Sequence, residues 1–199
     1  PPAPAASAAP ASPYRAPEVV ADPAAAGVGA ALPLDLAWEG VGGEAGTLGQ
    51  LLEGAPAAVV VLTSLECPLT RLYAPHLRER LAPWRARGVR VLVLDPIPQD
   101  DPAALRALAA RLEWDWPVAH DPQGRWASAL LAERTTDTFL LDAGGVLRYR
   151  GALDDQYGIG YRRPAPRRTF LADALEAVLA GGEPAVPATR APGCLLPAR

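Results

Sequence analysis

The chain has 199 residues, 50% of them hydrophobic and 21% charged, which suits one globular domain around a single core. Its formal charge is −3 and all 19 basic residues are arginine, so it lacks the net positive field that drives binding to nucleic acid or to anionic membranes. No apolar run approaches the ~18 residues needed to cross a bilayer, and the longest, residues 57–62, is only strand-sized.

The sequence opens at Pro1 with PPAPAASAAPASP, which lacks the charged-then-apolar shape of a signal peptide. It is expected to be the tether of an exported, extracytoplasmic protein whose leader has been removed. Residues 1–31 hold few large apolar side chains to offset the entropy of ordering, so a flexible tail is predicted there. Leu32, Leu34 and Leu36 alternate with Pro33, Asp35 and Ala37, which predicts an extended segment, with Pro33 placing it at a sheet edge. The ordered domain is predicted over residues 32–182. Gly-rich residues 40–46 read as turns before a short apolar stretch at 48–52.

Residues 57–63 form a continuous apolar, β-branched run, as expected of a parallel strand buried on both faces. Pro68 suits a helix's first turn, and Leu69, Leu72, Tyr73, Leu77 and Leu81 follow at roughly helical spacing, with Pro75 predicting a kink. Residues 89–94 read as a second buried strand, 102–112 as an amphipathic helix, 117–119 as a short strand, and 125–132 as a helix with Trp126 and Leu130 inward. Two strands at 138–141 and 146–149 flank a turn built on Asp142 and Gly145, and a helix over 169–179 ends at Gly181 and Gly182. The order βαβα then ββα predicts an α/β domain with a central mixed sheet and helices on both faces, followed by a C-terminal tail over 183–199. Trp114 and Trp116 are expected to be packing residues, and the segment 154–163, with two tyrosines and both charge signs, either a partner-facing loop or an ordinary surface one.

The chain has two cysteines, Cys67 and Cys194. Cys67 directly precedes the helix that starts at Pro68, so its sulfur can face that helix's unpaired amides, which favours the nucleophilic thiolate; the alternative is a small packed side chain. Cys194 lies in the tail beyond the last helix, from which it could resolve an oxidised Cys67, close a permanent disulfide worth roughly 4–5 kcal/mol, or join a metal site. A copper site on Cys67, Cys194 and a histidine is the alternative chemistry; otherwise no cofactor is expected. On a regular helix His76 would lie on the face opposite Cys67 and about 13 Å along the axis, whereas His120 could approach from the end of its strand. Arg71 shares a helix face with Cys67 and could hold a thiolate, while Glu66 would oppose one unless it faces solvent.

Three separated motifs, TSLECPLTRLYAPHL, TFLLDAGGVLRYRGALDD and the terminal Gly193-Cys194, resemble the redoxin, peroxiredoxin-like branch of the thioredoxin-like superfamily over residues 32–196. The resemblance implies a thioredoxin-like fold, an attacking thiol at Cys67, and Ser64 as hydrogen-bond partner of the sulfur or of a peroxide oxygen. The expected partner is a peroxide or a protein disulfide or thiol, and of the readings of Cys194 the resolving thiol is the one expected here. The arginine that steadies the thiolate in peroxiredoxins would stand at Thr136, so Arg134 is the candidate substitute. Asp137 stands where a cis-proline is usual, Val60 where the full motif has proline, and Thr70 where a Cys-x-x-Cys would place its second thiol.

Overall fold

The computed structural model describes residues 17–197. In chain order these comprise β1 (Glu18–Val19), β2 (Ala37–Glu39), β3 (Ala45–Thr47), α1 (Leu48–Leu52), β4 (Ala57–Leu62) and α2 (Pro68–Tyr73). A 3-10 turn (Ala74–His76) leads into α3 (Leu77–Arg85), β5 (Arg90–Asp95), α4 (Pro102–Arg111), β6 (Val118–His120) and α5 (Arg125–Ala129). Then follow β7 (Thr138–Asp142), β8 (Leu147–Gly151), β9 (Tyr157–Gly158), β10 (Tyr161–Arg162), α6 (Phe170–Leu179) and β11 (Thr189–Arg190).

The main sheet has the order β6-β5-β4-β7-β8, with β4, β5 and β6 parallel and β7 and β8 antiparallel. All six residues of β4 are buried, because its neighbours β5 and β7 lie on either side and helices cover both faces. Each of its three valines contributes about 1.5–3 kcal/mol on burial. On one face Val59, Val61 and Leu140 pack against Leu77, Leu81, Phe170 and Leu175 of α3 and α6. On the other, Val60, Leu62 and Phe139 meet Leu48 and Leu52 of α1 and Trp126 of α5. Trp114 and Trp116 belong to the first core, stacked with ring centroids 5.9 Å apart, as packing residues. The chain bends at Pro75, where the 3-10 turn separates α2 from α3 because proline has no N–H for the helical ladder.

Several expectations are corrected. Residues 32–36 form no strand: Leu32 is buried, the chain turns with Leu36 N–H donating to the Pro33 carbonyl (3.1 Å), and Leu34 is exposed. The edge strand is instead β2, which pairs with β3 in a separate hairpin, and the residue after it, Gly40, bridges Ala119 of β6. Residues 1–16 of the expected tail lie outside the described residues. Residues 17–31, by contrast, are docked: β1 pairs antiparallel with β11, Ala31 bridges Val146, and Ala26 is buried. Backbone hydrogen bonding to a neighbouring strand supplies there what large apolar side chains do not. The tail from 183 onward is likewise seated, with Ala188, Thr189 and Ala191 buried. In the segment 154–163, β9 and β10 pair as a hairpin, and residues 154–157 are buried.

Candidate active site

Cys67 is the N-cap of α2, on a loop that leaves the carboxyl end of β4. Here the parallel half of the sheet meets the antiparallel half, the place where open α/β sheets leave a crevice. The loop is held from within and from the next strand. Thr63 N–H donates to the Leu94 carbonyl (2.9 Å), and Leu65 N–H to an Asp100 carboxylate oxygen (2.7 Å). The Thr70 hydroxyl donates to the Ser64 carbonyl at 2.6 Å and is 2.8 Å from that of Cys67. The Ser64 hydroxyl accepts from Glu66 N–H (3.3 Å), so it serves this loop's backbone. Arg71 donates through Nε to the Leu65 carbonyl (2.7 Å) and pairs with Glu66 (3.4 Å), so it too braces the loop. The Glu66 side chain is 84% exposed and points to solvent.

The opposite wall is the segment before β7. Asp137 is buried, and one of its carboxylate oxygens accepts from Glu133 N–H (2.8 Å) and Arg134 N–H (3.0 Å) while facing the buried Arg150 guanidinium at 3.6 Å. Its carbonyl accepts from Leu62 N–H (2.9 Å), tying this turn to the end of β4. No cis peptide bond occurs among the described residues, and the Asp137 carboxylate organises the turn through these bonds.

Along this wall runs the tail. Thr189 hydroxyl accepts from Ala152 N–H (2.9 Å), and the tail lies so close to Gly151 (φ +140°) that a Cβ there would stand 2.1 Å from that hydroxyl. Further on, a Cβ on Gly193 would sit 2.6 Å from the Thr136 hydroxyl, which itself donates to the Pro192 carbonyl. Thr135 N–H donates to the Cys194 carbonyl (3.0 Å), Leu196 N–H to the Glu133 carbonyl (2.9 Å), and the Arg134 guanidinium to the Gly193 carbonyl (2.8 Å). Arg134 therefore anchors the tail that carries Cys194.

These two walls bring the sulfurs of Cys67 and Cys194 to 3.0 Å, and both thiols are free. Cys67 is 2% exposed beneath the tail, whereas Cys194 is exposed. Burial pushes the Cys67 thiol up, but the Thr135 hydroxyl, the Cys194 thiol and the backbone amides of Thr70 and Cys194 outweigh it, and the net effect is below the ordinary thiol value. The Thr135 hydroxyl is buried and makes no well-aligned hydrogen bond, so it is a donor available to a thiolate. Burial and the adjacent Cys67 sulfur push the Cys194 thiol up to about 11. The pair is thus polarised, with the inner sulfur ionising first and the outer one keeping its proton.

Both histidines have other neighbours. His76 stacks on Tyr157 (6.0 Å between centroids), and His120 Nε2 is 2.9 Å from the Ile97 carbonyl. No group of three or more His, Cys, Asp or Glu side chains arranged for a metal occurs among the described residues. The residues that sequence reasoning passed over are Thr135 and Asp100, and the structural work of Asp137 was missed with them. Their signal was a run of short polar residues next to buried strands, which becomes meaningful only once the strands are placed.

The sequence profile of the AhpC/TSA family matches residues 28–150. No curated protein matches the chain. Among solved structures, a hypothetical protein from Sinorhizobium meliloti is similar at 23% identity and TM-score 0.72, over 91% of this chain and 96% of its own. An uncharacterized conserved protein from Geobacillus kaustophilus is similar at 21% identity and TM-score 0.73, over 95% and 98%. A secreted disulfide oxidoreductase from Mycobacterium tuberculosis is similar at 15% identity and TM-score 0.52, over 74% and 96%. The fold these structures share with the chain is thioredoxin-like.

Proposed function

Because the chain belongs to the AhpC/TSA family, in the redoxin branch of the thioredoxin-like superfamily, we propose that Cys67 and Cys194 form a redox pair that cycles between dithiol and disulfide. Thiol oxidoreductase or peroxidase chemistry is the general class, and the pair's geometry supports a specific order of events. The carrying observation is the 3.0 Å approach of a buried, easily ionised sulfur to an exposed, protonated one.

With a peroxide, the Cys67 thiolate attacks the terminal oxygen, the O–O bond breaks, and the alkoxide leaves to take up a proton. Cys67 is then a sulfenic acid, oxidised by two electrons. The Cys194 sulfur attacks it, forming the S–S bond at about 2.05 Å, while the S–O bond breaks and water leaves with the Cys194 proton. An external thiolate then attacks the exposed Cys194 sulfur and expels Cys67, the better leaving group because its thiolate is the more stable. A second thiol of that donor completes the reduction. A partner's disulfide enters by the same exchange, with one of its sulfurs as the leaving group in place of the alkoxide. Ser64 and Arg134 act through position, Ser64 by shaping the Cys67 loop and Arg134 by seating the tail.

An extracytoplasmic location belongs to the same reading, supported by the secreted state of the Mycobacterium tuberculosis structure named above. The test of the chemistry is the pH dependence of peroxide oxidation of the reduced chain. The thiol-loss rate is expected to rise with an acid-side midpoint below the free-thiol value of about 8.5. A midpoint at or above that value, with the rate of a free thiol, would remove Cys67 from the role.

A further inference from the structure

Beneath the Cys67 loop lie two buried carboxyl groups that the chemistry above does not use. Asp95, the last residue of β5, is fully buried; one carboxyl oxygen accepts from Ile97 N–H (2.8 Å), and the other receives no N–H donor. Asp100, also buried, sits in the same turn as Asp95, its N–H donating to the Ile97 carbonyl (3.1 Å), and at its Oδ2 it accepts from Leu65 N–H (2.7 Å), two residues before Cys67. Two adjacent buried carboxylates without a cation would cost several kcal/mol, whereas one shared proton removes a charge and converts repulsion into a hydrogen bond.

The other charged and titratable groups on the surrounding elements are engaged elsewhere. Glu66 faces solvent with Arg71, Asp101 accepts from Ala103 N–H, and His120 meets the Ile97 carbonyl. The Asp121 carboxylate accepts from Arg125 N–H and Ala127 N–H.

We infer that Asp95 and Asp100 share one proton and that this acid–carboxylate pair positions the Cys67 loop through the Asp100 to Leu65 hydrogen bond. The inference rests on the reading of Cys67 as the reactive thiol. In the protonated pair Asp95 donates to Asp100, and the Asp100 carboxylate keeps its other lone pairs for Leu65. Burial pushes the Asp95 acid up to about 8; Ile97 N–H opposes this, and the Asp100 carboxylate adds to it. Below that pH the clamp is intact. Above it the second carboxylate forms, the two repel, and the loop loosens while Cys67 stays ionised. Asp95 and Asp100 are positioning residues, since they act on the sulfur through the loop.

The test follows peroxide oxidation of Cys67 across pH 5 to 10 in the wild type, Asp95→Asn and Asp100→Leu, with near-ultraviolet circular dichroism to check folding. The wild-type rate is expected to rise as Cys67 ionises and to fall again on a basic limb near pH 8. Asp95→Asn, whose amide donates permanently, should keep the acid limb and lose the basic one. Asp100→Leu should be slower by about tenfold across the range, as fits loss of one hydrogen bond to a charged acceptor. In the wild type alone, the infrared band of a buried protonated carboxyl should be present at pH 6 and disappear through the same basic transition.

A reactive wild type without a basic limb, an Asp95→Asn profile that keeps it, Asp100→Leu as fast as the wild type, or no protonated-carboxyl band overturns the inference. A wild-type Cys67 inert to peroxide at every pH overturns the underlying reading and the inference with it.

Discussion

Replacing Cys67 with serine is expected to reduce peroxide or disulfide turnover to the uncatalysed level, whereas Cys194→Ser should stop the cycle after one oxidation. The two thiols are not equivalent, because the inner one is favoured as thiolate and the outer one is held protonated up to about 11. A serine hydroxyl at position 67 supplies neither an anion at neutral pH nor a sulfur to oxidise. In Cys194→Ser the first step survives, so Cys67 should accumulate as sulfenic acid, trappable by a carbon nucleophile, and pass on to the sulfinic state under excess peroxide. Mass spectrometry of the intact chain separates these products. The same pair of variants reads out stability. Joining residues 127 apart in sequence should stabilise the oxidised fold by roughly 4–5 kcal/mol. In a chain of this size that raises Tm by roughly 8–20 °C over the reduced form. Cys194→Ser should show no such difference between oxidising and reducing conditions.

Asp137→Ala should be the most destabilising single change in the site, lowering stability by about 3–5 kcal/mol. The carboxylate is buried, holds two backbone N–H groups of the Glu133–Arg134 turn, and faces Arg150, itself 6% exposed in its side chain. Alanine leaves the guanidinium facing Phe139 with the Ala26 carbonyl at 3.3 Å and the partly exposed Glu133 carboxylate at 3.7 Å, and no buried counter-charge among the described residues. It also frees the turn whose Thr135 N–H and Arg134 guanidinium seat the Cys194 segment. A fall in the urea midpoint together with a lower yield of the 67–194 crosslink is the expected outcome. An unchanged midpoint would mean that the turn is held by something other than this carboxylate.

Where side chains advertise their surroundings locally, the sequence was readable. The unbroken apolar run of β4, the Pro68 start of α2, the break at Pro75 and the glycine-rich β7–β8 turn all follow from neighbours within a few residues. Residues 32–36 misled because their alternation comes from a chain that turns, with Leu32 inward and Leu34 in solvent. The docking of residues 17–31 and of the tail was not readable, since it rests on backbone pairing and on gaps left by distant glycines. Thr189 fits over Gly151, and Gly193 fits against Thr136, contacts that no local pattern announces. For the same reason, sequence pointed to Cys67 as a thiol at a helix start but not to its burial beneath the tail. Asp137 was visible only as a departure from proline, and its work in the site emerges from the hydrogen bonds its carboxylate makes.

The most direct measurement is disulfide mapping of the full reduced chain after one equivalent of hydrogen peroxide, by mass spectrometry of an unreduced digest. A single crosslink between the peptides holding Cys67 and Cys194, formed within one chain and in near-stoichiometric yield, is the outcome this account requires. Thiols that remain free, or crosslinks that join separate chains, would contradict it.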